Sequence, residues 1–88
     1  MYYVYILKEI TKNHFYIGHS SDLKNRLKAH YNKEVLSTKH KQWKLNNYFA
    51  FNNIVIAKKF EKYLKSGSGR AFCKKHFNIN EDEDTTKP

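Results

Sequence analysis

The chain has 88 residues, 40% hydrophobic and 16% aromatic, with 17 Lys and Arg against eight Asp and Glu for a net charge of +9. That length holds one small domain with a thin core built on large rings. The single cysteine, Cys73, excludes an internal disulfide framework and fits a reducing, cytoplasmic setting; no apolar run approaches the roughly 18 residues of a membrane helix, and no stretch reads as a signal peptide.

The charge is unevenly placed. Glu81, Asp82, Glu83 and Asp84 lie in the tail. Setting them and Lys87 aside leaves 16 bases and four acids in residues 1–80, a net of +12. A body this basic points to a polyanionic partner, nucleic acid first; simple solubility is the blander explanation. A membrane surface is disfavoured, because no segment sets a broad apolar face opposite its lysines.

In chain order, Tyr2-Tyr3-Val4-Tyr5-Ile6-Leu7 is apolar on both faces and predicts a central strand covered on both sides. Thr11-Lys12-Asn13-His14 is a polar turn, and Phe15-Tyr16-Ile17 a second strand, so the two predict an antiparallel hairpin. Gly18 loosens the backbone, Ser20 or Ser21 is the expected helix cap, and a helix is expected from about Asp22 to Tyr31. Leu23 and Leu27 share its buried face; Arg26 and His30, also four apart, lie on the margin of that face. Residues 32–42 are polar and lysine-rich and read as an exposed loop.

Trp43 to Phe51 reads as a third strand with imperfect alternation. Ile54-Val55-Ile56 alone prefers strand, yet Ile56, Phe60, Tyr63 and Leu64 recur at helical spacing, which favours a helix from about Ile54 to Lys65. Ser66-Gly67-Ser68-Gly69 then ends that helix, and a short one follows from about Arg70 to His76, carrying Phe72 inward. The fold class is α+β: a small three-stranded antiparallel sheet flanked by helices, in the order β-β-α-β-α-α. The domain spans 1–77, and 78–88 is an acidic tail expected to be disordered.

Few residues suit chemistry. Glu61 is a lone carboxylate among lysines; such a group can hold Mg²⁺ together with substrate phosphate, or simply pair with Lys58, Lys62 or Lys65. Tyr5 and Tyr16 are either ordinary core phenols or, with positive charge nearby, acid–base groups. Arg26 suits a phosphate clamp, its alternative being plain solvent exposure, which holds for His30 as well. His14, His19, His40 and His76 are scattered, and none makes a zinc spacing with Cys73. Ser66 to Arg70 lacks the full phosphate-loop pattern and reads first as a helix break, with Arg70 available to a phosphate.

Together these residues resemble the GIY-YIG nuclease superfamily in its small single-domain branch. Tyr3-Val4-Tyr5 stands where the family has Gly-Ile-Tyr, and Tyr16-Ile17-Gly18 matches the second tripeptide. Arg26 and His30 follow in the helix at the family's spacing, Glu61 falls in the later helix, and Ser66 to Arg70 looks like the branch's closing signature. The resemblance implies a metal-dependent endonuclease acting on nucleic acid, DNA first, in repair or recombination. It implies Glu61 as the carboxylate for Mg²⁺ or Mn²⁺, and Tyr16, as phenolate, as the base for the attacking water. Arg26 would offset phosphoryl charge, and Tyr5 and His30 would position water and phosphate. Lys24, Lys39, Lys41, Lys65 and Arg70 are the expected nucleic-acid contacts, and a protein partner supplying specificity is expected for so small a chain. The rival is a binding module without turnover, gripping nucleic acid through lysines and exposed rings.

Overall fold

A computed structural model of the chain describes residues 1–10, 14–33 and 42–77. Lys39, Lys41, most of the expected loop after the first helix and the acidic tail lie outside the described residues. The elements are β1 (Tyr2–Glu9), β2 (Phe15–Ser20), α1 (Leu23–Tyr31), β3 (Trp43–Phe51), α2 (Ile54–Leu64) and α3 (Gly67–Phe77). The expected α+β order is the one observed.

The sheet is antiparallel with strand order β2-β1-β3, so the apolar first strand is central. Alternate side chains of β1 feed two cores. Val4 and Ile6 join Ala57, Leu64 and Cys73 under α2 and α3, with Phe15, Ile17, Phe49, Phe51, Phe60 and Phe72 packed around them. Tyr5 and Leu7 join Trp43 on the other face, with Tyr16, Leu23, Leu27 and Leu45 beside them. Helix α1 covers this second face.

The imperfect alternation of β3 has a definite cause. Leu45 pairs with Leu7 but Asn47 pairs with Ile6, so Asn46 is a bulged extra residue. The bulge flips the phase of the strand. Trp43 and Leu45 therefore serve the α1 face, whereas Phe49 and Phe51, also at odd positions, serve the α2–α3 face.

The helices depart from expectation in three places, two at their ends and one on a buried face. Asp22 itself caps α1, its Oδ1 accepting from the Asn25 N–H at 3.2 Å, while Ser20 Oγ accepts from the Asp22 N–H at 3.0 Å. An aspartate one residue before the first leucine outcompetes the serines because it can also bind the Asn25 side chain, at 2.7 Å. The buried stripe of α2 is Ala57, Phe60 and Leu64 rather than one through Ile56 and Tyr63, which are 53% and 39% exposed. Most importantly, Gly67-Ser68-Gly69 does not separate two helices by a loop. It is the first turn of α3, which begins three residues earlier than expected, at Gly67.

Ser66 explains why. Its Oγ donates to the Tyr63 carbonyl at 2.5 Å and accepts from the Gly69 N–H at 3.1 Å, closing α2 and capping α3 with one side chain. A Cβ on Gly69 would fall 2.5 Å from the Leu64 Cα and closer still to the Tyr63 carbonyl oxygen. Glycine is required there by the close approach of two backbones.

Candidate active site

Strand β2 alternates like β1. Phe15 and Ile17 pack toward α2, whereas Tyr16 and Gly18 face α1. Gly18 lies opposite Tyr5 in the register. A Cβ at Gly18 would sit 2.6 Å from the Tyr5 hydroxyl and 2.8 Å from its Cζ. The Tyr5 ring therefore leans across the space that the glycine leaves empty, and its hydroxyl is carried toward the outer strand.

That hydroxyl is the hub of a polar chain. The Arg26 Nε–H donates to the Tyr5 oxygen at 3.4 Å, and the Tyr5 oxygen lies 2.9 Å from His30 Nε2. The Tyr5 oxygen accepts from Arg26 and keeps its own proton to give; in the neutral Nδ1–H tautomer of His30, Nε2 is the atom that takes that bond. Electrostatics agree. Burial, then the nearby Arg26 charge, lower the His30 pKa and keep the ring neutral. Burial foremost raises the pKa of Tyr5, despite the opposing hydrogen bond from Arg26. Arg26 itself is held charged, chiefly by its bond to Tyr5 and further by Tyr16.

Tyr16 completes the cluster by ring contacts. Its centroid is 5.1 Å from that of His30, 6.3 Å from that of Tyr5 and 6.4 Å from that of the buried Trp43. Tyr16 also helps to hold the Arg26 charge. Position and burial follow from the helix: His30 is 1% exposed on the inner face of α1, and Arg26, one turn earlier, lies at its rim.

Glu61 reaches the same region from the opposite layer. It projects from α2, and its charge is felt at the Tyr5 hydroxyl, whose ionisation it opposes. One carboxylate oxygen accepts from Lys65 Nζ at 3.0 Å, the i,i+4 pair foreseen among three candidate lysines. The other lies 2.6 Å from His19 Nδ1. His19 was not separated from the other histidines by sequence alone. Only the pairing of His19 with Val4 places it on the α2 side of the edge strand, facing Glu61. His14 likewise has a partner, the Glu9 carboxylate at 3.1 Å.

The structure thus gathers Tyr5, Tyr16, Arg26 and His30 between β1, β2 and α1, while Glu61 acts on Tyr5 through its charge and makes its own contacts with His19 and Lys65. A family model described as the GIY-YIG catalytic domain matches residues 1–78. The chain belongs to the GIY-YIG family. Membership implies a nuclease-type site whose substrate is nucleic acid. No curated protein and no solved structure matches the chain significantly.

Of the expected nucleic-acid contacts in this GIY-YIG domain, Lys65 pairs with Glu61. Lys24 is exposed near the start of α1, on the rim of a shallow cavity of about 430 Å³ that Tyr3, Leu27 and Tyr48 also line. Arg70 is exposed on α3. Neither Lys24 nor Arg70 hydrogen-bonds to Tyr5, Tyr16, Arg26, His30 or Glu61. Among the described residues no helix is long and apolar enough to cross a membrane, and no group of three or more His, Cys, Asp and Glu side chains could hold a metal.

Proposed function

We propose that this domain is a metal-dependent endonuclease that hydrolyses phosphodiester bonds in DNA. The observation that carries the reading is the Arg26–Tyr5–His30 hydrogen-bonded chain with Tyr16 against it and the Glu61 charge at its Tyr5 end. A guanidinium, two phenols, a neutral imidazole and a carboxylate are the parts that phosphoryl transfer needs: charge to meet charge, and a route for one proton.

The donor set fits a hard divalent cation. Mg²⁺ and Mn²⁺ take oxygen ligands, and at phosphate-processing sites often keep several waters and only one or two protein carboxylates. Glu61 would be that carboxylate. When bound, the ion supplies Lewis-acid polarisation of a phosphoryl oxygen.

The chain's own residues do the rest. Arg26 keeps Nε on Tyr5 and offers its remaining N–H groups to the phosphoryl oxygens, a fixed fork for a planar pair of acceptors. Tyr16, acting from its deprotonated form, takes one proton from the attacking water. A new P–O bond forms as the bond to the leaving sugar oxygen breaks, and that oxygen takes its proton from solvent. Tyr5, kept protonated by burial, and His30, kept neutral, hold Arg26 and Tyr16 in place through the transition. Basic side chains, Lys24, Lys65 and Arg70 among them, attract and seat the strand. Nicked or branched DNA of the kind met in repair and recombination is the proposed substrate, with a partner protein supplying specificity.

The test is cleavage of nicked, branched and single-stranded DNA with Mg²⁺ or Mn²⁺, comparing wild type with Tyr16→Phe and Glu61→Ala. Both variants should bind DNA as wild type does and cut at least about 100-fold more slowly. Equal cutting by Glu61→Ala removes the carboxylate from the mechanism. One observation favours a second reading, a binding module without turnover: both oxygens of Glu61 already have protein partners in Lys65 and His19. Binding that weakens with salt and ignores both Mg²⁺ and Glu61→Ala would select it.

A further inference from the structure

The nearest neighbour of Glu61 is not a member of the tyrosine–arginine–histidine cluster. It is His19, whose Nδ1 lies 2.6 Å from Oε1. Three features of this contact exceed what a surface ion pair needs. First, the two residues are 42 positions apart and come from different layers, so the contact is made by the fold and not by a helix turn. Second, His19 follows directly on Gly18, the residue whose missing side chain admits Tyr5. Successive strand residues point to opposite faces, so one edge presents the Tyr5 hydroxyl on one side and the His19 imidazole on the other. Third, the contact is made by Nδ1, an atom that can be either a hydrogen-bond donor or a metal ligand.

From this geometry we propose that His19 is a second protein ligand, with Glu61, for the divalent cation, and that it tilts the site toward manganese over magnesium. The proposal rests on the reading of Glu61 as the cation's carboxylate. Neighbouring ligands of an octahedral ion with bonds of roughly 2.0–2.1 Å stand about 3 Å apart. Nδ1 and Oε1 need to separate by only a few tenths of an ångström to share one ion. In the neutral tautomer that carries its proton on Nε2, the imidazole would offer the Nδ1 lone pair to the ion. Lys65, whose side chain is 54% exposed, is then free to leave Oε2 for a substrate phosphate. The metal preference follows from ligand chemistry. Carboxylate and water suit both ions, whereas an imidazole nitrogen strengthens the site for a first-row transition ion and does little for the harder Mg²⁺.

The experiment uses the tag-free 88-residue chain at pH 7.5 without nucleic acid. Pulsed EPR of the Mn²⁺-loaded protein should show coupling to an imidazole nitrogen, and His19→Gln should abolish it. Titration followed by amide NMR should give Mn²⁺ binding about tenfold tighter than Mg²⁺ in wild type, narrowed to within about twofold in His19→Gln. A histidine that only orients Glu61 by a hydrogen bond gives a different pattern. Glutamine, itself a donor, would then preserve the preference, and no nitrogen coupling would be seen in wild type; either result overturns the proposal. Glu61→Gln separates the two levels of the argument. Mn²⁺ broadening of residues 17–20 that survives Glu61→Gln overturns the carboxylate reading and this proposal with it. Broadening that needs Glu61 but shows no nitrogen coupling overturns this proposal alone.

Discussion

The α2–α3 face of the sheet is closed by hydrocarbon, whereas the α1 face combines hydrocarbon with a buried hydrogen-bonded chain. Under α2 and α3, Val4, Ile6, Ala57 and Leu64 meet rings stacked edge to face, Phe49 against Phe60 at 4.7 Å and Phe72 against Phe77 at 5.6 Å. That face contributes stability through buried area and close packing. Under α1, the fully buried side chains are a tyrosine, a leucine and a histidine, and two of the three are polar. Buried polar groups of this kind hold one geometry, since each loses its partner if the arrangement shifts. One central strand serves both purposes by alternation. The edge strand β2 borders both, with Tyr16 and Gly18 turned to the polar face and His19 turned to Glu61 of the packing layer.

The contrast can be broken most severely at a single glycine. Gly69→Ala should cost about 3 kcal/mol or more in urea unfolding, because its Cβ would meet the backbone of Tyr63 and Leu64, which cannot move aside as a side-chain tip can. Full stability in that variant would mean that the α2–α3 contact is not what holds the packing face. Leu64→Ala, which leaves a cavity in the same layer, should cost about 2–5 kcal/mol by the same measurement.

The polar face should behave differently. Gly18→Ala pushes the Tyr5 hydroxyl off its site, with a second clash at 3.1 Å from Tyr16. Its stability loss should stay under about 2 kcal/mol, since a ring end can yield, while DNA cleavage falls about 100-fold or more. A fold-wide collapse comparable to that of Gly69→Ala would erase the distinction between the faces. Tyr5→Phe is milder still. It leaves the Arg26 Nε and the buried His30 Nε2 without their shared partner, for a loss of about 1–2 kcal/mol in thermal unfolding.

The smallest effect is a dependence on pH. The His30 pKa is lowered in the folded chain from the ordinary 6.5, so the unfolded chain binds a proton that the folded chain refuses. Stability therefore rises with pH across the window between the lowered value and 6.5, and is lost as pH falls through it. The slope from this one group cannot exceed about 1.4 kcal/mol per pH unit. His30→Gln, which keeps an acceptor for Tyr5, should flatten stability in that window; an unchanged slope would place the acid sensitivity elsewhere.

Much of this was legible before any coordinates. The two-faced run Tyr2–Leu7, the hairpin partner at Phe15–Ile17 and the spacing of Leu23, Arg26, Leu27 and His30 name the central strand, the edge strand and a helix with one polar margin. These are local patterns, and alternation or a 3.6-residue period is enough to read them. The tripeptide Tyr16-Ile17-Gly18 with Arg26, His30 and Glu61 was enough to place the family.

What local pattern does not carry is anything that depends on two segments approaching each other. Ser66–Gly69 reads as a break because two glycines are poor helix formers; the first turn of α3 exists because Gly69 alone fits against the α2 backbone. The α2 stripe shifted to Ala57, Phe60 and Leu64 because the sheet and α3 choose which face is covered, and Ile56 loses that choice despite its hydropathy. His19 gained its partner in the same way. Sequence determined which residues were available and how each element repeats; tertiary packing decided which residues touch, because register, a bulge at Asn46 and a glycine at 18 set the distances between groups that no sequence period connects.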